Sequence, residues 1–319
     1  MKKNDGLRVV FFGTPDFARA SLDAIMQSPH KVVGVVTVPD KPAGRGRKLK
    51  ESAVKRYARE KNLPLLQPEN LKDPDFLAGL KKWNADVFVV VAFRILPREV
   101  WNMPPLGTFN LHASLLPDYR GAAPIHWALI NGEKKTGVTV FFIDDKVDTG
   151  AIIDQIPVDI EPGETAGSLH DKLMEKGAGL VVDTLDRLAE GKVTTIPQRH
   201  LTAPHKAPKL KPANTRIDWT KPGDEILRLI RGLSPHPGAW TVARYRDRPK
   251  KWIIYDAAFV PEKHVFPPKT LIIRDKKLKI AVPDGFIEPL LIKEEGRKAM
   301  NNSEFLNGLI NNFSKISLD

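Results

Sequence analysis

Two patterns of apolar and polar positions divide this chain. Over its first part, continuous apolar runs alternate with runs of helical spacing. Leu7–Phe12 reads as a buried strand, and Gly13-Thr14-Pro15 as the turn after it, with Pro15 suited to the first turn of a helix. Phe17, Ala18, Leu22, Ile25 and Met26 then recur at helical intervals. Val32–Val38, Leu63–Leu66 and Val87–Ala92 read as further strands, with Ser52–Lys61 and Phe76–Trp83 as helices between them. A helix near Ile125–Ile130, a strand at Val138–Ile143 and one long helix over Thr165–Leu188 follow, Ser168 being placed to cap the later part of that helix. Apolar strands separated by helices predict a sheet covered on both faces. The expected class is α/β, with a Rossmann-like, doubly wound, mostly parallel sheet.

The pattern changes after residue 200. Residues 202–215 carry Pro204, Pro208 and Pro212 among basic residues and read as a linker. Beyond it, Glu225–Arg231 reads as a short helix. Ala239–Arg244, Trp252–Phe259, Thr270–Arg274, Leu278–Val282 and Phe286–Ile292 are short β-like runs. Strands of this length and spacing predict a small, OB-like β-barrel. The expected domains are therefore 1–203, a linker at 204–215, and 216–319.

Charge adds a partner class. The chain has 319 residues, enough for two cored domains, and a net charge of +12. Residues 206–319 hold 22 basic and 13 acidic residues, which places +9 there and +3 in residues 1–205. A basic second half points to a polyanion, nucleic acid before an anionic membrane surface. Solubility alone is the plainer reading of the same excess. The absence of cysteine excludes disulfides, thiolate metal sites and cysteine nucleophiles. No apolar run approaches the ~20 residues of a membrane helix, and Leu7–Phe12 is too short for a signal-peptide core, so the expected compartment is the cytoplasm.

Candidate chemistry gathers at residues 110–117, Asn-Leu-His-Ala-Ser-Leu-Leu-Pro. Side chains at i and i+2 of an extended segment point the same way, so Asn110 and His112 would face one pocket. An amide there can stabilise an oxyanion, and an imidazole can move a proton. Asp148, in Val147-Asp148-Thr149-Gly150, is a candidate third member. A half-buried histidine at a strand end is the bland alternative for His112, and Asn110 two residues away weighs against it. The segment Pro39–Lys50 sets Lys41, Arg45, Arg47, Lys48 and Lys50 against one acid, Asp40, with glycines on both sides of Arg45. Its guanidinium groups suit phosphate, although a solvated basic loop has the same composition. Gly13-Thr14-Pro15 lacks the G-x-G-x-x-G pattern. Asp144, Asp145 and Asp148 do not have calcium-loop spacing, and no histidine pair has metal-ligand spacing, so no metal is expected.

At these residues the chain resembles the 10-formyltetrahydrofolate-dependent formyltransferases. Their signature is matched by Asn110, His112, Ser114-Leu115-Leu116-Pro117, the run from Arg120 to Ile125, and Asp148-Thr149-Gly150. Phe12-Gly13-Thr14-Pro15, Pro39–Leu49, Arg216-Ile217-Asp218-Trp219 and Gly296–Met300 look like the methionyl-tRNA branch of that family. The likeness covers essentially the whole chain. It implies a formyl donor, 10-formyltetrahydrofolate, and an acceptor, the α-amine of initiator methionyl-tRNA. It also implies catalytic roles for Asn110, His112 and Asp148, tetrahydrofolate recognition at Ser114, Leu115, Leu116 and Pro117, and tRNA contacts from Lys41, Arg45, Arg47 and Lys48, with Arg45 foremost. In this reading Asp148 orients the imidazole and accepts its N–H. No covalent enzyme intermediate is expected, because Ser114 has no dedicated base. The protein is expected to be a monomer with no membrane partner. One stretch departs from the family: Ala92-Phe93-Arg94-Ile95-Leu96-Pro97 is a residue short and puts Arg94 where glycine is common. Two other readings remain: a formyltransferase acting on a sugar amine or another small amine, and a non-catalytic RNA-binding protein. The basic loop and basic second half weigh against the first, and the Asn110–His112–Asp148 set against the second.

Overall fold

The strands of the first half form where the backbone has only other strands to bond. Val9, Phe11, Val35, Val89 and Val91 are wholly shielded from solvent, so pairing is the only way to satisfy their amides. The computed structural model describes residues 6–43, 48–198, 205–245, 248–309, 313 and 316–319. The chain forms two compact units, one of Met1–Gly121, Lys135–Asp159 and His170–Lys206, the other of Ala122–Lys134, Ile160–Leu169 and Ala207–Asp319.

The first unit is built on a mixed sheet. Its order is Ile152–Asp159, Lys135–Phe142, Thr108–His112, Val87–Val91, Arg8–Gly13, Lys31–Val36 and Leu65–Leu66. The last five are mutually parallel. The first two are antiparallel to their neighbours. Thr108–His112 is thus the strand at which the sheet changes sense, and its C-terminal end carries the candidate chemistry. The edge strand Ile152–Asp159 has no counterpart among the expected strands. Its Asp154, Gln155 and Pro157 break the apolar pattern, which an edge tolerates because one side of the ladder is unpaired. The basic segment is also partly paired: Lys41–Ala43 and Lys48–Lys50 form an antiparallel hairpin.

Helix boundaries follow the caps. Ser52 accepts the Lys55 N–H, and Asp73 accepts those of Asp75 and Phe76. The long helix runs Ala166–Ala189. Ser168 does not cap a later part of it. Thr165 takes the cap, accepting the Ser168 N–H at 3.2 Å while Ser168 Oγ accepts the Thr165 N–H at 3.0 Å.

The second unit is a curled antiparallel sheet, a half-barrel. Its order is Leu271–Arg274, Lys277–Val282, Gly285–Glu294, Arg248–Pro261, Ala239–Tyr245 and Ile316–Leu318, with Ala299–Asn301 beside Gly285–Glu294. Register slips near Asp256 bend the long strand Arg248–Pro261, as bulges do. Trp219, Trp252, Ile230, Ile280 and Phe305 fill the interior. The Trp219 indole donates to Thr241 Oγ1 at 3.0 Å, so burial leaves no polar atom stranded. A segment from the first half packs here. The helix Pro124–Ile130 lies against Gly223–Leu233, where a Cβ on Gly232 would sit 2.6 Å from Ile130, and His126 bonds the Gly232 carbonyl at 2.7 Å. The stretch read as a linker is bonded in as well. Pro208 accepts the Trp127 indole N–H, and Thr215, in the helical turn Pro212–Thr215, accepts that of Trp240. Among the described residues, no helix is long and apolar enough to cross a membrane.

Candidate functional site

Strand alternation sets the site. In Thr108–His112, Phe109 and Leu111 are buried apolar residues, and Asn110 and His112 take the alternate positions. His112 is 7% exposed. Its Nε2 lies 3.0 Å from the Tyr119 carbonyl oxygen, which can only accept, so Nε2 carries a hydrogen and, in the neutral ring, the lone pair is on Nδ1. Nδ1 faces Asp148 Oδ2 at 3.9 Å. That is too long for a hydrogen bond but close enough for a carboxylate to meet a charge arriving on the ring. Asn110 Oδ1 is buried with no hydrogen-bond partner. Such an atom costs about 1–3 kcal/mol unless a ligand satisfies it.

Asp148 is held by its surroundings. Its φ of +56° lies in the left-handed region, which costs a non-glycine residue about 1 kcal/mol or more. The carboxylate accepts the Gly121 N–H at 3.0 Å, and Thr149 donates to Asp144 at 2.7 Å, tying the turn together. A Cβ on Gly150 would lie 1.6 Å from the Phe142 carbonyl oxygen, so only glycine fits there. Asp144 is therefore a turn former, and of the three clustered carboxylates only Asp148 reaches His112.

The Ser114–Pro117 run splits by role. Ser114 is buried and donates to the Asp118 carbonyl at 2.7 Å. Leu116 packs with Phe141 and Ile152 in a small core. Leu115 and Pro117 are half-buried. The backbone of this loop is clamped by Thr139, which stands opposite His112 in the ladder. Thr139 Oγ1 donates to the Ser114 carbonyl at 2.6 Å and accepts the Leu116 N–H at 3.1 Å. Gln155 donates to the Leu116 carbonyl at 2.9 Å. Sequence reading did not find Thr139 or Gln155, because a threonine and a glutamine within strands carry no spacing signal.

Residues 7–185 match the family described as Formyl transferase, and residues 209–309 match Formyl transferase, C-terminal domain. The methionyl-tRNA formyltransferase of Flavobacterium johnsoniae is 54% identical over 303 residues, covering 95% of this chain and 96% of that protein. The methionyl-tRNA formyltransferase of Bacteroides fragilis is 47% identical over 313 residues, covering 97% and 96%. The chain belongs to the methionyl-tRNA formyltransferase family. The crystal structure of an N-formyltransferase from Helicobacter canadensis, in complex with folinic acid and dTDP-3-aminofucose, shares the fold at a TM-score of 0.61 and 21% identity, over 89% of this chain and 98% of that one.

Two features bear on this chain as a member of the methionyl-tRNA formyltransferase family. In the basic segment, Lys41 and Lys48 lie in the paired strands, while Arg45 and Arg47 fall outside the described residues. Asp40, the segment's one acid, is turned toward Lys55 and Gln67. Their hydrogen bonds hold its carboxyl below the usual range. In the shortened segment, Arg94 donates to the carbonyls of Pro68 at 2.7 Å and Glu69 at 3.0 Å, and its guanidinium lies over the Phe93 ring. Burial without a carboxylate partner lowers its pKa. A guanidinium thus ties two loops together where glycine would leave only backbone.

Proposed function

We propose that Asn110, His112 and Asp148 carry the family's reaction in this chain. That reaction moves the formyl group of 10-formyltetrahydrofolate to the α-amino group of initiator methionyl-tRNA, for translation initiation. The observation that supports these roles is the placement of the imidazole. Nε2 is committed to the Tyr119 carbonyl, and the Nδ1 lone pair looks across 3.9 Å at the Asp148 carboxylate. As the amine nitrogen bonds the formyl carbon, its proton has a place on Nδ1 with a negative charge facing it, and when the N10–C bond breaks that proton goes to N10, which leaves as tetrahydrofolate. Asp148 orients and compensates without accepting a ring hydrogen in the resting state. The Asn110 amide, whose oxygen has no protein partner, donates through Nδ2 to the formyl oxygen as charge builds there. Donors of this kind contribute about 3 kcal/mol in related acyl transfers.

The folate supplies a formyl carbon activated at N10. The Asn110 side chain, which can donate through Nδ2 and accept at its unpartnered Oδ1, and the half-buried Leu115 and Pro117 suit a ligand with a carbonyl, an N–H and flat apolar rings. In this proposal Leu115 and Pro117 touch the folate, while Ser114 and Leu116 fix the backbone beneath it. Lys41, Arg45, Arg47 and Lys48 are assigned to tRNA phosphates, with Asp40 neutralised by Lys55. Residues 1–203 carry the chemistry, 204–215 join, and the basic 216–319 add backbone affinity for tRNA. A cytoplasmic monomer fits a single set of these groups acting on a component of translation. Acceptors other than methionyl-tRNA, and a non-catalytic RNA-binding role, are not favoured.

Formyl transfer measured with charged initiator tRNA and with an amino-sugar nucleotide tests the acceptor. Turnover is expected with the tRNA alone, and comparable turnover of the sugar amine would overturn the assignment.

A further inference from the structure

The hydrogen bonds around Asp148 close into a ring whose far member lies 50 residues along the chain. Asp148 Oδ2 accepts the Gly121 N–H at 3.0 Å. The preceding residue, Arg120, donates to Gln198 Oε1 through both Nη2, at 2.6 Å, and Nε, at 3.2 Å. Gln198 Nε2 then donates to the Gly150 carbonyl at 2.7 Å. Gly150 is two residues from Asp148, so the circuit returns to its start.

Gln198 is built into this place. It is 2% exposed. The backbone before it is anchored to the sheet edge, where Ile196 and Ile152 exchange N–H···O bonds of 2.8 and 2.9 Å. Chemistry dictates which way its amide lies. A guanidinium only donates and a carbonyl only accepts, so the reversed amide would set donor against donor and oxygen against oxygen. No other residue of this length offers one acceptor and one donor from a single planar group.

We propose that Gln198 is a positioning residue for Asp148, and through it for His112. The proposal rests on the catalytic reading of Asp148 given above. Asp148 sits in a left-handed conformation that its own backbone does not favour. One arm of the ring holds its carboxylate through Gly121, and the other holds its turn through Gly150. Gln198 is the sole bridge between the arms within this circuit. Removing it lets the two arms separate, and the 3.9 Å approach to Nδ1 drifts with them. Placement errors of about 1 Å near reacting groups cost up to about 10²-fold in rate.

The test uses the full chain, initiator methionyl-tRNA and 10-formyltetrahydrofolate. Gln198→Met is expected to lower kcat by about 10-fold or more, with KM for both substrates changing less than about threefold. Gln198→Glu keeps the volume and the Arg120 contact but loses the donor to Gly150. It is expected to fold and to show a similar loss of kcat, which covers the case in which the methionine variant does not fold. A double-mutant cycle separates positioning from general loosening. In an Asp148→Asn background, either Gln198 change is expected to lower kcat by less than about twofold, because the carboxylate it positions is already gone. An undiminished penalty in that background, or wild-type kcat in Gln198→Glu, overturns the proposal while leaving Asp148 in its role. Near-wild-type kcat in Asp148→Asn alone overturns the role of Asp148, and this proposal with it.

Discussion

The end of strand Thr108–His112 and the interior of the half-barrel use buried polar groups in opposite ways. At the strand end, the amides and hydroxyls of Thr139, Gln155, Gln198 and Gly121 are spent on holding backbone and one carboxylate in place. One acceptor, Asn110 Oδ1, is left without a partner. In the half-barrel, the most buried charge is fully answered. Glu294, 1% exposed, accepts from Tyr245 and from Lys250 at 2.8 Å and forms an ion pair with Arg297 at 3.2 Å. The first region keeps hydrogen-bonding capacity in reserve for a ligand. The second meets its most buried carboxylate from three sides and uses it to hold the sheet together.

That contrast can be broken most directly at His112. His112→Ala is expected to lower kcat by about 10³-fold with little change in melting temperature, since general acid–base groups contribute 10²–10⁴. A loss of stability with turnover preserved per folded molecule would remove the distinction. The reverse is expected of Trp219→Ala. Emptying that fully buried site costs about 3–4 kcal/mol of unfolding free energy, measured in denaturant, while kcat of the folded fraction is maintained.

A smaller effect is expected at Glu294. Burial alone would raise its pKa, but the hydrogen bonds from Lys250 and Tyr245 outweigh it and hold the group below the usual glutamate value. A carboxyl depressed in the folded state contributes stability above its unfolded pKa of about 4.3 and loses it as pH falls through the folded value. Glu294→Gln should therefore lower the melting temperature at pH 7, and the gap to wild type should close as the pH drops below about 4. A gap independent of pH would mean that the charge is not what matters. The smallest expected change is at Arg45. Arg45→Ala should raise KM for tRNA a few-fold and reduce the slope of log affinity against log salt by about one phosphate contact. An unaltered slope would move the tRNA contact away from this segment.

The sheet strands were legible because their runs are apolar on both faces, and Asn110 and His112 because strand period sets them on one side. Ile152–Asp159 was hidden by its polar edge positions, and Ser168 was misplaced because Thr165, three residues earlier, makes the better cap. The prolines of 204–215 read as a linker. Yet a proline carbonyl still accepts, and Trp127 and Trp240 bind that stretch through indole N–H groups. Of the site, the residues proposed to touch reacting atoms were found by spacing. The residues that hold them, Thr139, Gln155 and Gln198, were not. Their partners are backbone groups brought near by folding, and no local pattern marks them.

The 1.6 Å clearance at Gly150 bears on how this site can be redesigned. The interval between Asp148 and Gly150 reports the thickness of a neighbouring peptide, not a requirement of formyl transfer. A designer who exchanges the carboxylate for its amide changes the charge and keeps an oxygen that can accept the Gly121 N–H. A designer who adds one methyl two positions later keeps every reacting group and loses the place where they meet. In a library built around this turn, position 148 admits residues that tolerate the left-handed region and carry an acceptor, and position 150 is the one to leave alone.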